Sequence, residues 1–203
     1  MNDQIVSSGL TITLDGFAAG TNQSFESPFG DNFDSALLDR WMFAEPEKHK
    51  HKKEIDAILD AGAFIMGSNM FGPADRRDKS EWKGWWGDNP PYHAPVFVLA
   101  HKSHEPITMD GGTTFHFVTD GIESALSKAK EAAGERNVKI MGGANTINQY
   151  LKAGLIDELW LHIVPVTVGT GSRLFEGVAG LNLEPIEVSG TAMVTHIRYK
   201  KRI

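Results

Sequence analysis

Lys139-Ile140-Met141-Gly142-Gly143-Ala144-Asn145-Thr146 is the stretch that decides how this chain is read. Val138 to Met141 is a short apolar run that reads as a strand, and it passes straight into paired glycines. Thr146 to Ala153 then reads as a helix, with Ile147, Tyr150 and Leu151 on one stripe and Gly154 as terminator. Glycines let the backbone approach a ligand closely. A helix start offers unpaired N–H groups and the positive end of a dipole, which suits a pyrophosphate. The same residues also read as a tight strand-to-helix turn with no ligand, and pattern alone leaves both readings open. The segment is not the G-x-G-x-x-G fingerprint, so a standard Rossmann assignment is not warranted.

A second junction of this kind is Phe64-Ile65-Met66-Gly67-Ser68-Asn69-Met70-Phe71-Gly72, where a buried strand (Ala63 to Met66) meets a short helix that Ser68 or Asn69 can cap. Its simpler reading is an ordinary cap. Two junctions at the carboxyl ends of strands would form a crevice for an extended phosphate-bearing ligand.

Outward from these segments the chain alternates strands and helices. Ile5 to Leu14, Val96 to Ala100, Phe115 to Val118 and Leu159 to Val164 read as strands, the last covered on both faces because it is nearly all apolar. Glu47 to Ala61 reads as a helix opened by Pro46, striped by Ile55, Ile58 and Leu59, and closed by Gly62. Asp120 to Ala133 is the clearest helix, with Asp120 and Glu123 as a capping box and Gly134 at its end. Leu181 to Val188 and Ala192 to Lys200 read as a hairpin turning at Ser189-Gly190. Met193, Thr195, Ile197 and Tyr199 alternate there with polar neighbours, which predicts one wet face. The sum is an α/β fold, a mostly parallel mixed sheet with an antiparallel C-terminal edge.

Two stretches read as irregular: an early insertion near 17–45 and a Trp-rich loop near 72–95 broken by Pro90-Pro91. A loop of that length is often a lid or binding loop. Trp85, with Trp82 and Trp86 beside it, and Trp41 from the insertion are candidates to stack on a flat acceptor; pinning the loop to the core is the equal alternative. The whole, 1–203, is expected to form one domain. Hydrophobic residues make up 41% and charged residues 23%, enough apolar material for a core. The absence of cysteine excludes disulfides, thiolate metal sites and a cysteine nucleophile. A net charge of -6 argues against a general nucleic-acid binder. Met1 to Gly9 carries no secretory pattern, and no run nears the roughly 20 apolar residues of a membrane helix, so a cytoplasmic protein without a membrane partner is expected.

Four segments resemble the RibD C-terminal, dihydrofolate-reductase-like family, which includes bacterial pyrimidine-reductase domains. They are Thr13 to Gly20 (similar to S-L-D-G-x-I-A-G), Ala61 to Phe71 (A-D-A-x-L-x-G-R-x-T-Y), Gly142 to Thr146 with Leu151 and Gly154 to Leu159 (G-G-x-x-T-x-x-x-L-L-x-x-G-L-V-D-E-L), and Pro165 to Phe175 (P-V-x-L-G-x-G-x-x-L-F). The order holds from near residue 5 to the C-terminus. The resemblance implies a dihydrofolate-reductase-like three-layer αβα fold. It implies NADPH as the usual cofactor, hydride transfer to a small heterocyclic or carbonyl substrate as in riboflavin and folate metabolism, and a homodimer. By position, it places Asp15 and Gly16 near the nicotinamide, and Gly67, Ser68 and Asn69 by the pyrophosphate and ribose. Gly142, Gly143, Ala144, Asn145 and Thr146 would wrap the pyrophosphate from the other side, with His101 and Lys102 near the adenine ribose. The family's G-R-x-T is here Gly67-Ser68-Asn69-Met70, without the arginine that would face a 2′-phosphate; His101 or Lys102 would have to replace that charge.

No catalytic acid stands out. Folate reductases use an acid on the helix before the Gly67-type strand, where this chain offers Glu47 and Glu54, and a solvated carboxylate is the simpler reading of each. Asp34 and Asp39 have no assigned place. His49 and His51, two apart, fall on different faces of a helix, so a solvated basic face rather than a metal site is expected. Three functions remain: a NAD(P)H-dependent reductase, a non-catalytic nucleotide-binding domain of the same fold, and a flavin- or deazaflavin-dependent oxidoreductase.

Overall fold

The computed structural model describes residues 4–31 and 33–202. The leader reading over Met1 to Gly9 and the bounds of the expected domain therefore fall partly outside the described residues. In chain order the strands and helices are β1 (Val6–Thr13), β2 (Phe17–Ala19), α1 (Ser35–Phe43), a 3₁₀ turn (Glu47–His51), α2 (Lys52–Ile58), β3 (Ala63–Gly67), α3 (Ser68–Phe71), β4 (Pro95–Leu99), β5 (Ile107–Thr108), a second 3₁₀ turn (Asp110–Gly112), β6 (Thr114–Val118), α4 (Ile122–Ala133), β7 (Val138–Gly142), α5 (Ala144–Lys152), β8 (Glu158–Val164), β9 (Ser172–Arg173), β10 (Leu183–Gly190) and β11 (Thr195–Lys201).

Nine strands form one sheet in the order β10-β11-β8-β1-β7-β3-β4-β6-β5, and β2 pairs with β9 apart from it. The central strands from β8 to β6 are parallel. β11 runs antiparallel to β8, β10 antiparallel to β11, and β5 antiparallel to β6. The β10–β11 hairpin turns through Thr191 to Val194, past the Ser189-Gly190 expected from sequence, because Ser189 and Gly190 already pair with His196 and Thr195.

Strand alternation gives the sheet two unlike faces. Val6, Ile12, Ile65, Val138, Ile140, Leu159 and Leu161 pack with Ala125, Ala129, Ile147 and Tyr150 of α4 and α5 in a core that is almost wholly apolar. Each fully buried aliphatic there contributes about 1.5–3 kcal/mol. The opposite face is divided. Toward β4 and β6, Phe64, Met66, Val96, Val98 and Phe115 are covered by Phe71, Tyr92 and Trp86. Toward β8 and β11, α1 and α2 cover a smaller cluster of Leu38, Trp41, Val164 and Val194.

Several local readings change. The early insertion is not wholly irregular: it holds β2 and α1, and Asp34 caps α1 by accepting from the Ala36 amide at 2.9 Å. The helix expected from Glu47 is a 3₁₀ turn followed by the short α2, which ends before Leu59; Gly62 is buried against Ala133 and Arg136 and is no helix terminator. α4 starts at Ile122 with Gly121 as its N-cap, and Asp120 accepts from Ser124 instead of closing a capping box. At β3–α3 neither Ser68 nor Asn69 caps the helix; Gly67 occupies that position.

β3 and β7 are neighbours, with Met66 opposite Gly142, so the two glycine junctions seen in the sequence lie side by side. Gly67 is needed there because a Cβ at this position would run into Oγ1 of Thr146 on α5. Gly67→Ala is expected to cost about 1–3 kcal/mol through overpacking, and Gly67→Ala with Thr146→Ala to recover most of the loss. Urea unfolding of the two variants checks this; equal losses in both would show that the contact does not set the spacing.

Candidate functional site

The carboxyl ends of β3, β4, β6 and β7 open on a cavity of about 1060 Å³. At one end it meets two helix starts. Gly121 and Ile122 of α4 line it, as do Gly143, Ala144, Asn145 and Thr146 of α5. Neither helix has a side-chain cap: Gly121 and Gly143 hold the N-cap positions. The first amides of both helices therefore lack partners within their own helix, and both positive dipole ends meet the same space. Gly121 has φ 97°, a conformation glycine adopts without strain. The Gly142–Gly143 peptide is cis.

Gly67, Ser68 and Asn69 line the same end, with His101 at the end of β4. Arg77, from the Trp-rich loop, donates to Oδ1 of Asn69 and lines the cavity beside it. Reading the sequence around Gly67 missed this guanidinium, because it reaches the junction from ten residues further on in a loop without periodicity. Lys102, expected to supply charge here, does not line the cavity; its Nζ lies 2.6 Å from Oδ2 of Asp78. Asp78 is held below the usual carboxylate range by the bond from Lys102.

Asp15, Gly16 and Gly142 do not line the cavity either. Asp15 accepts from Oγ1 of Thr13 at 2.5 Å and from the amides of Val168 and Gly169 at 3.1 and 2.8 Å. These bonds, the one from Thr13 first, lower its pKa. The carboxylate thus ties the β1–β2 turn to the Pro165–Gly171 loop, and cavity contact falls to Ala18 and Ala19 instead.

The other end of the cavity is lined by Asp39 and Met42 of α1, Glu54 and Ile58 of α2, Lys139 of β7, and Trp160 and His162 of β8. This concentration of partly buried charge is unlike the rest of the interior. Burial raises the Asp39 carboxyl to about 6 and pulls the Lys139 ammonium down to about 8; Lys139 Nζ donates to the Ala57 carbonyl. Burial also works against ionised Glu54, but the bond from Ser189 (2.7 Å) and the neighbouring His196 and His51 outweigh it and leave its pKa low. Glu54 is therefore a bonded, buried carboxylate and not the solvated one expected.

Trp85 lines the cavity and stacks on Phe25 at 5.9 Å, while Trp82 donates to the Phe71 carbonyl at 3.1 Å and Trp86 packs on Phe115. Trp41 does not reach the cavity; at 1% exposure it is sealed behind α1 against His51, His162 and His196, which removes it as a stacking residue. His51 is buried too, since the 3₁₀ turn points it inward, so the basic face expected from His49 and His51 holds only for His49. His196 is one of the polar neighbours that alternate with Met193, Thr195, Ile197 and Tyr199, yet it is buried opposite His162.

The family model described as the RibD C-terminal domain matches residues 4–196, and the chain belongs to that family. It is similar to YyaP of Bacillus subtilis (strain 168), a protein described as uncharacterised, with 25% identity over 168 residues that cover 82% of this chain and 77% of YyaP. Among solved structures it resembles a Shewanella sp. PV-4 protein whose name refers it to riboflavin biosynthesis (TM-score 0.68, 20% identity, 98% of this chain and 100% of the other). It also resembles the dihydrofolate reductase of Enterococcus faecalis, solved with NADP(H) and RAB-propyl (TM-score 0.59, 14% identity, 98% and 97%). The fold is dihydrofolate-reductase-like, with the mixed sheet and antiparallel hairpin described above. Among the described residues no helix is long and apolar enough to cross a membrane.

The cavity carboxylate has a measurable consequence for stability. Because its folded pKa of about 6 lies above the ordinary 3.8, the neutral form of Asp39 is favoured in the folded chain. Its charge then opposes folding above that pH and does not below about pH 4. Asp39→Asn should raise the unfolding free energy at pH 8 by on the order of 1 kcal/mol, discounted for partial exposure, and change it little at pH 3.5. Denaturant titration at both pH values checks this; a destabilisation confined to pH 8 would contradict the placement.

Proposed function

We propose that this chain is a reductase that binds NADPH across the paired starts of α4 and α5 and reduces a small heterocyclic or carbonyl substrate in the charged end of the cavity. The observation that carries the reading is that two uncapped helix N-termini open on one cavity large enough for a dinucleotide and a small acceptor. The family and a dihydrofolate reductase solved with NADP(H) support it.

The residues present fit the cofactor. A Cβ at Gly121 or Gly143 would meet nothing within 4 Å, so there is open space beside the free amides, where a pyrophosphate would sit. Gly67, Ser68 and Asn69 would hold the ribose, and Arg77 with His101 would face a 2′-phosphate, the guanidinium offering the planar donor set that phosphates match. When bound, the dihydronicotinamide supplies the hydride. The chain's own part is to orient the acceptor and manage protons. Above its raised pKa, Asp39 accepts from an N–H of the acceptor. Lys139, whose ammonium loses its proton readily for a lysine, donates to an anionic or carbonyl oxygen. Trp85 and Met42 give the acceptor an apolar wall.

The substrate belongs to this reading only by class, a flat polar heterocycle or carbonyl compound. The homodimer belongs to it as well, with the exposed Ile186 and Val188 of edge strand β10 as surface for a second copy to cover.

Fluorescence titration with NADPH and NADH tests the reading. NADPH is expected to bind more tightly than NADH, and Arg77→Ala to weaken NADPH about tenfold, equivalent to about 1.4 kcal/mol, while leaving NADH nearly unchanged. Binding of neither nucleotide would overturn the reading.

A further inference from the structure

Three histidines that the sequence scatters across 145 positions are brought into one hydrogen-bonded line. Antiparallel pairing sets His196 of β11 directly opposite His162 of β8, and their Nδ1 atoms lie 2.7 Å apart. The other nitrogen of His196, Nε2, lies 2.9 Å from Nδ1 of His51, and Nε2 of His51 lies 3.4 Å from Oγ1 of Thr191 in the β10–β11 turn. Thr191 is partly exposed, whereas the three histidines are 2 to 4% exposed. The inner end of the line, His162, is a wall of the cavity, and its Nε2 is the nitrogen not engaged with His196.

We propose that His51, His196 and His162 form a proton relay that joins the β10–β11 turn to the charged end of the cavity. The use of the proton, to complete a reduction there, rests on the reductase reading; the relay itself does not.

A neutral imidazole has one N–H and one lone pair on opposite sides of the ring, as a relay member requires. Burial lowers the pKa of His162 to about 3 and also lowers that of His196, so both are neutral near pH 7. Two arrangements then satisfy every bond in the line. In the first, His51 donates from Nδ1 to Nε2 of His196, His196 donates from Nδ1 to Nδ1 of His162, and His162 carries its proton on Nε2. In the second, all three directions are reversed. Passing from the first to the second, His162 releases its Nε2 proton into the cavity and takes one at Nδ1 from His196. His196 takes one at Nε2 from His51, and His51 takes one at Nε2 from the Thr191 end. One proton enters, one leaves, and every ring stays neutral. The reverse sequence, with water in the cavity, restores the first arrangement.

The surroundings favour this use. Trp41 packs on all three rings at 4.8 to 5.6 Å between centroids and keeps water off the line. The charged groups facing it are Glu54 of α2, bonded to Ser189 of β10, and Lys139 of β7. His51, Glu54 and His196 also bring one potential ligand atom each within 4.8 Å of one another. However, the facing nitrogens of His51 and His196 share one proton in a hydrogen bond, so their ring axes are aimed at each other and not at a common point. A zinc ion would need both at about 2.0–2.1 Å from itself.

The test uses the full-length chain labelled with ¹⁵N-histidine, free of nucleotide, at pH 7, in NMR spectra that correlate ring nitrogens with ring protons. A relay predicts neutral rings with exchange-averaged Nδ1 and Nε2 shifts at His162 and His196. It further predicts that His51→Gln, whose amide can hold both bonds but cannot pass a proton, locks both rings in single tautomers. Thr191→Val, a surface change, should bias the averaging without abolishing it. Single fixed tautomers in the unaltered chain that stay the same in His51→Gln would overturn the proposal. So would uptake of one equivalent of Zn²⁺ that is lost in Glu54→Gln, which would make the cluster a metal site. The experiment contains no nucleotide, so failure of NADPH to bind leaves its outcome readable.

Discussion

The close approach of Gly67 to Thr146 is the constraint on which the cavity depends. β3 and β7 are adjacent and parallel, so both deliver their chains to the same edge of the sheet. With Thr146 facing it, a residue without a side chain at Gly67 lets α5 begin where it does. That places the α5 start beside the α3 junction, and β6 delivers α4 to the same opening. In the proposed reading, anion binding at the site follows from this backbone geometry, and side chains such as Arg77 would add discrimination.

The two faces of the sheet divide the labour. The face under α4 and α5 is nearly all hydrocarbon and supplies most of the driving force for folding. The face under α1 and α2 carries Asp39, Glu54, Lys139 and the histidine line, groups that are costly to bury. Some of that cost is offset by bonds, as at Glu54 and among the histidines. At Asp39 it is not, since the carboxyl has only its burial to account for a raised pKa. Groups with such shifted pKa values cluster at functional sites.

Much of the fold was legible because it rests on local signals. Apolar runs located β3, β4, β6, β7 and β8 to within a residue or two, and glycines after Met66 and Met141 marked the strand ends. The same glycines pointed to the residues that do line the cavity at the end where two helices start, Gly67 to Asn69 and Gly143 to Thr146. What local signals could not show was pairing across the sheet. His162 stood alone in an apolar strand and His196 on a face that alternation marks as wet. Only the β8–β11 register, with α1 and the Glu47–His51 turn laid over it, makes them neighbours. Asp39 was unplaced for a related reason: α1 follows a stretch rich in Gly, Ser and Asn, and its orientation is set by the packing of Leu38 and Trp41. Asp15 and Lys102 illustrate the converse. Their positions matched the family's pattern, but the structure commits them to backbone amides and to Asp78.

The central claim is that two helix starts form one dinucleotide seat. Hydrogen–deuterium exchange of the chain with and without NADPH measures it directly, because the amides in question are those at the beginnings of α4 and α5. Slower exchange in both segments together on adding NADPH is the predicted result. NADPH that binds while leaving both helix starts unprotected would contradict the account.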